Sequence, residues 1–274
     1  MSLETADLEY VRTLVHRRSA LVLDDDKSYL VESRLLNVAR RSGCGSVADL
    51  IARLRREIVG VLHSQVVEAM TTNETSFYRD VQPFEALRKV ILPDLIKNRA
   101  AERTLNIWCA ASSTGQEPYS LAMLIREYFP AVKDWRIQIT ASDLSSEVLE
   151  RAREARYSQH EVNRGLPATM LVKYFQKQGA DWVIKDDVRR MIDFKQVNLI
   201  ERWPTFPPLD IVLIRNVMIY FDVPTKKRIL GQIRQLLRPD GYLFLGGAET
   251  TLNLDESYTR LPLERAGCYK LVGR

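Results

Sequence analysis

The chain has 274 residues, 46% of them hydrophobic, which is enough for two modest domains or one large one with buried cores. No apolar run reaches the length of about 18 residues that a membrane helix needs, and the acidic opening MSLETADLEY lacks the basic-then-apolar order of a signal peptide. A cytoplasmic protein without stable membrane insertion is therefore expected, and three widely spaced cysteines (Cys44, Cys109, Cys268) argue against a disulfide framework or a metal site. The formal charge of +5 suits a polyanionic partner without requiring one.

From residue 4 to about 98 the apolar residues recur three and four apart, as in Leu50, Ile51, Leu54 and Ile58, then Leu62, Val66, Val67 and Met70. Breaks fall at Asp24-Asp25-Asp26, Gly43-Cys44-Gly45 and residues 71–76, so a small helical bundle is predicted. Residues 27–60 hold seven basic residues (Lys27, Arg34, Arg40, Arg41, Arg53, Arg55, Arg56) against three acids (Glu32, Asp49, Glu57). That local excess marks a docking face, with a solvated helix surface as the plainer alternative.

After residue 102 short apolar runs alternate with amphipathic segments: TLNIWCA, EPYSLAMLIREYF, RIQITASD, SSEVLERAREA, DIVLIRNVMIYF, TKKRILGQIRQLL and GYLFLGG. This rhythm predicts an α/β fold with a parallel sheet covered on both faces. Residues 157–197 interrupt it with a helix and two short strand-like pieces, DWVI and RMIDF, which read as an inserted antiparallel subdomain. The expected organisation is an all-α domain over 1–90 and an α/β domain over 91–274, with the insertion at about 157–197.

In doubly wound sheets the ligand lies beyond the carboxyl ends of the strands, so the residues after each strand carry the information. The first strand is followed by Ala110-Ala111-Ser112-Ser113-Thr114-Gly115-Gln116-Glu117-Pro118, small residues that let a ligand approach the backbone. Such a turn is as common in ordinary packing. Asp143 follows the second strand, where an acid can accept the hydroxyls of a ribose or cap the next helix. Arg215 and Asn216 interrupt the apolar run of the fourth strand, a costly insertion unless they bind something. Pro239-Asp240-Gly241 reads as a plain turn before the strand YLFLGG.

Five segments, NETSFYRD (73–80), IWCAASSTGQEPYSLAM (107–123), ASDLSSEVLERA (141–152), VNL (197–199) and IRNVMIYFD (214–222), stand in the order and spacing of the CheR chemoreceptor methyltransferases, which the chain resembles over nearly its whole length. The resemblance implies a class I, Rossmann-like methyltransferase domain that uses S-adenosyl-L-methionine, releases S-adenosyl-L-homocysteine and esterifies receptor glutamates in chemotaxis. Carried onto this sequence, it implies that Asn73, Thr75 and Arg79 close over the cofactor and that Glu117 and Asp143 hold its amino-acid and ribose parts. Asn198 and Leu199 would flank the adenine, and Arg215 and Asn216 would line the floor near the methionine portion. Arg79 and Tyr220 would stand nearest the transferred methyl, Tyr220 either orienting the substrate carboxylate or walling the pocket. The family more often shows two acids in the small-residue loop, and here the first position is Gln116.

A glutamate carboxylate, which ordinarily titrates at about pH 4.3, is ionised at neutral pH and needs no general base. The implied partner is the helical cytoplasmic region of a chemoreceptor, docked through Arg34 and Arg40. The stretch between Phe175 and Val188 is short and lacks a glycine-rich turn, so an enzyme independent of a C-terminal pentapeptide tether is expected, and a monomer. A nucleic-acid methyltransferase is the main rival, but Arg215-Asn216-Val217 replaces the Asn/Asp-Pro-Pro-aromatic pattern of amino-methylating enzymes, and no cysteine suits C5 chemistry. A non-catalytic cofactor-binding adaptor is a second rival, opposed by the intact Asn73, Arg79, Asp143, Asn216 and Tyr220.

Overall fold

The computed structural model describes residues 3–24 and 28–273; Lys27 of the basic stretch and Asp25 and Asp26 of the first predicted break lie outside them. The chain divides into two compact units, one comprising 1–72 with the returning segments 198–202 and 220–225, the other comprising 73–197, 203–219 and 226–274.

The first unit is helical: α1 (Thr5–Ser19), α2 (Ser28–Arg41), α3 (Val47–Arg56) and α4 (Val61–Ala69). Val11, Val15, Val31, Leu35, Leu50, Ile51, Leu54 and Val66 are buried, as their spacing on one helix face requires. Ile58 departs from that pattern. α3 ends when Glu57 turns extended, and Ile58 is left 93% exposed in the loop before α4. Buried His63 is fully satisfied, its Nδ1 accepting from the Gly60 N–H at 3.3 Å and its Nε2 bonding the Leu54 carbonyl at 3.1 Å.

The second unit begins with a helix too. α5 (Val81–Ala86), a π-helical turn at Leu87–Ile91 and α6 (Leu92–Asn98) run on without a break. Phe84, Leu87, Ile91, Leu92 and Leu95 join the core around the sheet, so this stretch packs with the α/β part although its rhythm continues that of the bundle.

The sheet then forms from β1 (Thr104–Ala110), β2 (Arg136–Asp143), β6 (Ile192–Gln196), β7 (Leu209–Ile214), β8 (Leu237–Leu245), β9 (Tyr258–Arg260) and β10 (Cys268–Leu271), in the order β6-β2-β1-β7-β8-β10-β9. The pairs from β6 to β8 are parallel, and β10 is antiparallel to both β8 and β9. Chain order reverses between β1 and β7, which makes their carboxyl ends the crevice for a ligand. Helices α7 (Gln116–Tyr128), α8 (Ser146–Glu154) and α12 (Val223–Leu236) are the crossovers.

Between α8 and β6 lies the small sheet of β3 (Arg156–Ser158), β4 (Phe175–Gln178) and β5 (Asp181–Ile184), antiparallel in the order β3-β5-β4, with α9 (Gln159–Asn163), α10 (Ala168–Tyr174) and α11 (Asp186–Arg189). RMIDF does not join it. Ile192 and Phe194 alternate with Asp193 and pair with Ile139 and Ala141, so this piece is the parallel edge strand β6 of the main sheet. Pro239-Asp240-Gly241 is not a turn before a strand but lies within β8, at the irregular register between Leu237 and Tyr242, and Asp240 takes both Nη atoms of Arg99 at 2.9 and 2.5 Å. Arg99 Nε also donates to fully buried Asp210 at 2.7 Å, tying α6, β7 and β8 together.

Candidate active site

The loop from β1 to α7 has three residues in the left-handed region, Ala111 (φ 55°), Ser113 (φ 50°) and Gly115 (φ 91°). At Gly115 an added Cβ would meet Ala152, Tyr119 and Tyr157 at 3.1–3.2 Å, so glycine is needed for space as well as for backbone freedom. The loop is tied to the end of β2. Ser112 N–H donates to the Ser142 carbonyl at 2.8 Å, and Ser113 N–H donates to Asp143 Oδ2 at 2.8 Å. Asp143 Oδ1 accepts from Ser145 N–H at 3.0 Å, while the cap of α8 is the Ser145 hydroxyl. Buried Asp143 thus joins two strand-end loops and is not the helix cap. Gln116 is also buried, and its Oε1 accepts from the Thr114 hydroxyl at 2.8 Å, a neutral bond where a second acid would add a buried charge.

Arg215 stands at the carboxyl end of β7 with its side chain 1% exposed. One Nη donates to Glu117 Oε2 at 2.7 Å; the other donates to Asp80 Oδ2 at 2.8 Å and to the Arg79 carbonyl at 2.9 Å. Burial pushes the Glu117 carboxyl above the usual range, and the Arg215 guanidinium opposes that shift. The next residue, Asn216, is left-handed (φ 58°), and this turn aims a row of backbone N–H groups at one carboxylate. Glu249 accepts from Asn216 and Val217 at 2.9 Å each, from Ile219 at 3.3 Å and from Gly246 at 2.5 Å. Sequence reasoning misses Glu249; its only signal is an acid shortly after the Gly246-Gly247 pair that follows β8.

Residues 73–80 lie against the same crevice. Phe77, fully buried, meets Tyr157 and Phe175 edge-on with centroids 4.9 and 5.6 Å apart. Ser113 Oγ donates to the Asn73 carbonyl at 2.7 Å, and Tyr78 N–H donates to Ser120 Oγ at 2.9 Å. Gly165 passes so close to the Phe77 carbonyl that no Cβ fits there. Arg79 is half-buried and donates from Nη1 to the Glu74 carbonyl at 2.9 Å. The neighbouring carboxylates are engaged elsewhere, Glu74 by Arg164 and Asp80 by Arg215, so no surface ion pair accounts for Arg79 among the described residues. Thr75 is half-buried in this segment.

Three expected site residues, Asn198, Leu199 and Tyr220, fall in the segments that pack with the helical unit. Asn198 Nδ2 donates to the Arg18 carbonyl at 2.7 Å and to Glu201 at 3.1 Å; Leu199 is buried. Of the expected docking residues, Arg40 is exposed. Arg34 is held within the unit, donating to the Met70 carbonyl at 2.7 Å and to Thr72 at 3.3 Å.

A nucleoside-bearing sulfonium fits the crevice of the second unit. The β1–α7 loop presents small side chains, and acids stand at the end of β2 and the start of α7. The buried Ser112 hydroxyl and Arg215 Nε have no hydrogen-bond partner among the described residues, which suits a polar ligand at this end of the sheet. Among the described residues no cluster of His, Cys, Asp and Glu is built to hold a metal ion, and no helix is long and apolar enough to cross a membrane.

Comparison with known families agrees with this geometry. Residues 73–266 match the SAM binding domain of CheR methyltransferases, and residues 6–71 match the all-alpha domain of the same family. The chain is 40% identical over 263 residues to chemotaxis protein methyltransferase 1 of Pseudomonas aeruginosa, covering 94% of this chain and 95% of that protein. It is 38% identical to chemotaxis protein methyltransferase Cher2 of Pseudomonas putida, with 94% and 95% covered. It is 36% identical to a chemotaxis protein methyltransferase of Vibrio parahaemolyticus, with 97% and 98% covered. The chain belongs to the CheR family of S-adenosylmethionine-dependent methyltransferases.

Proposed function

We propose that the protein methylates glutamate side-chain carboxylates in the cytoplasmic domains of bacterial chemoreceptors, forming glutamyl methyl esters for chemotactic adaptation. The relatives' names bring chemotaxis to this chain. The observation that favours a carboxylate acceptor is the state of Arg79. Its adjacent acids are already paired, so its remaining donors can take an incoming carboxylate as a charge-assisted hydrogen bond.

Bound, S-adenosylmethionine supplies the electrophilic methyl on a sulfonium. The residues of the chain have to orient and enclose. Glu117, paired with Arg215, offers a carboxylate to the ammonium of the methionine portion, and Asp143 offers one to the ribose. Asn73, Thr75 and Arg79 cover the crevice, Asn198 and Leu199 flank the adenine, and Arg215 and Asn216 form the floor. Because the acceptor is already an anion, bringing it in line with the methyl accounts for most of the rate, up to about 7–11 kcal/mol in an ideal geometry. The family resemblance assigns Tyr220 to the methyl side, as an orienter of the carboxylate or as a wall.

The N-terminal helical region is the docking domain in this reading, with Arg34 and Arg40 toward an acidic receptor surface. The protein works as a cytoplasmic monomer and without a pentapeptide tether, consistent with a β4–β5 hairpin joined by only Gly179 and Ala180. A titration giving micromolar affinity for such a peptide would overturn the last point. The decisive experiment is transfer of radiolabelled methyl to receptor-containing membranes followed by mild base. Release of the label as methanol establishes a carboxyl ester; stable label on protein or on nucleic acid rejects the assignment.

A further inference from the structure

The two short segments that pack with the helical unit, 198–202 and 220–225, carry Asn198, Leu199 and Tyr220. Both are gripped by the same stretch of chain, the end and exit of α1. Asn198 Nδ2 donates to the Arg18 carbonyl at 2.7 Å. Val22 N–H donates to the Tyr220 carbonyl at 3.0 Å, and Leu21 and Phe221 form an antiparallel bridge. His16 Nε2 lies 3.4 Å from Asp222 Oδ2, while Asp222 Oδ1 accepts from Thr225 N–H at 2.8 Å and so caps α12.

The exit is itself well determined. Ala20 is left-handed (φ 55°) and buried, with its N–H bonded to the His16 carbonyl at 2.7 Å; buried Ser19 donates to the Val15 carbonyl at 2.7 Å. The other end of α1 is tied to the basic face. Arg55 on α3 pairs with Asp7 at 3.0 Å, donates to the Ala6 carbonyl at 2.9 Å and sits over the Tyr10 ring at 5.0 Å. α1 is a rod of about 22 Å at 1.5 Å per residue, fixed at one end to the basic helix and at the other to the segments of Asn198 and Tyr220.

Resting on the assignment of Tyr220 and Asn198 to the methyltransferase site, we propose that the exit of α1, residues 16–22, is a positioning element that holds Asn198 and Tyr220 in place for the reaction. His16 and the Val22 amide are positioning groups for Tyr220; neither touches cofactor or substrate.

The test compares the wild type with Val22→Pro, Val22→Ala, His16→Ala and His16→Gln. Val22→Pro deletes the N–H given to the Tyr220 carbonyl and suits the bridged Leu21 before it; Val22 is 44% exposed, so Val22→Ala is the control. Val22→Pro should lower kcat about tenfold, the equivalent of one lost hydrogen bond with its local disorder, and Val22→Ala should stay within about twofold of wild type. His16→Ala should lower kcat about two- to fivefold, as for an exposed pair, and His16→Gln, which keeps a donor, should restore most of it. KM for receptor and affinity for S-adenosylhomocysteine should be unchanged in all four. Wild-type kcat in Val22→Pro overturns the proposal, and so does a loss of S-adenosylhomocysteine binding in parallel with kcat, which would be general damage. Hydrogen exchange at the Val22 amide is read without any protein substrate: slow exchange in the wild type that accelerates in His16→Ala supports the grip, and fast exchange in the wild type overturns it. Failure of the wild type to label receptors would count against the receptor assignment, which the exchange measurement does not use.

Discussion

Arg79 and Arg215 are close neighbours in the second unit with opposite conditions. Arg215 is buried and committed on two sides, to Glu117 and Asp80, whereas Arg79 is half-buried and bonded to one carbonyl. Arg79→Ala should therefore leave the urea midpoint unchanged while turnover falls about ten- to a hundredfold, the worth of a hydrogen bond to a charged group. Unchanged turnover would remove Arg79 from the reaction. Glu117 gives a pH signature. Its carboxyl is raised by burial against the pull of Arg215, so protons return to it above the ordinary glutamate range as pH falls. A raised folded-state value means that the proton-bound form favours folding: the stabilisation is complete below the unfolded value and lost as pH rises through the folded one. Under the proposed pairing of Glu117 with the cofactor ammonium, binding runs the other way, because that ammonium needs the ionised acid. Affinity for S-adenosylhomocysteine should weaken on acidification with a midpoint above the ordinary glutamate range, and Glu117→Gln should abolish that midpoint. At this scale the sequence exposes residues that break a pattern, such as Arg215 and Asn216 inside an apolar run. Glu249 breaks none, since its meaning depends on N–H groups thirty or more positions away.

At the scale of elements, the buried strands are legible because they are continuous apolar runs of the right length, TLNIWCA and DIVLI among them. RMIDF is ambiguous for a physical reason. An edge strand is covered on one side only, so it keeps exposed Asp193 and reads like a piece of a small antiparallel sheet. The helix over 81–98 shows the opposite limit: periodicity announces a helix but not which core its apolar face joins. The turn after β7 is a second case, since nothing local says that its N–H groups and that of Gly246 share one acceptor. Removing that acceptor with Glu249→Ala strands four backbone donors, of which Gly246 N–H is buried. The expected loss is about 3 kcal/mol or more in urea unfolding, with weaker S-adenosylhomocysteine binding. Gly246→Ala should mimic it in part, because its Cβ would stand 2.7 Å from Glu249 and 2.8 Å from the Asn216 backbone. Wild-type stability in both variants would show that the turn holds without the carboxylate.

For the whole molecule the question is what the net charge of +5 is for. The basic stretch of the helical unit is less free than its count suggests, because Arg53 is paired with Glu57, Arg55 with Asp7, and Arg34 is spent on the end of α4. Sequence counting cannot see this, as Asp7 lies outside the stretch and a carbonyl carries no formal charge. Arg40 is left as an exposed cation of α2. The two expected docking residues should therefore behave differently when reversed. Arg40→Glu should raise the KM for receptor severalfold and leave the thermal midpoint and S-adenosylhomocysteine affinity alone, while Arg34→Glu should lower the midpoint as well, since it frees the Met70 carbonyl and the Thr72 hydroxyl. Steering between an acidic receptor and a basic enzyme is also screened, with a Debye length of about 10 Å at 0.1 M salt and about 3 Å at 1 M. KM for receptor should rise with ionic strength, and the slope should be shallower in Arg40→Glu because one attractive charge has become repulsive. A KM indifferent to salt in the wild type would mean that the basic face is a solubilising surface and that receptors are recognised through another part of the molecule.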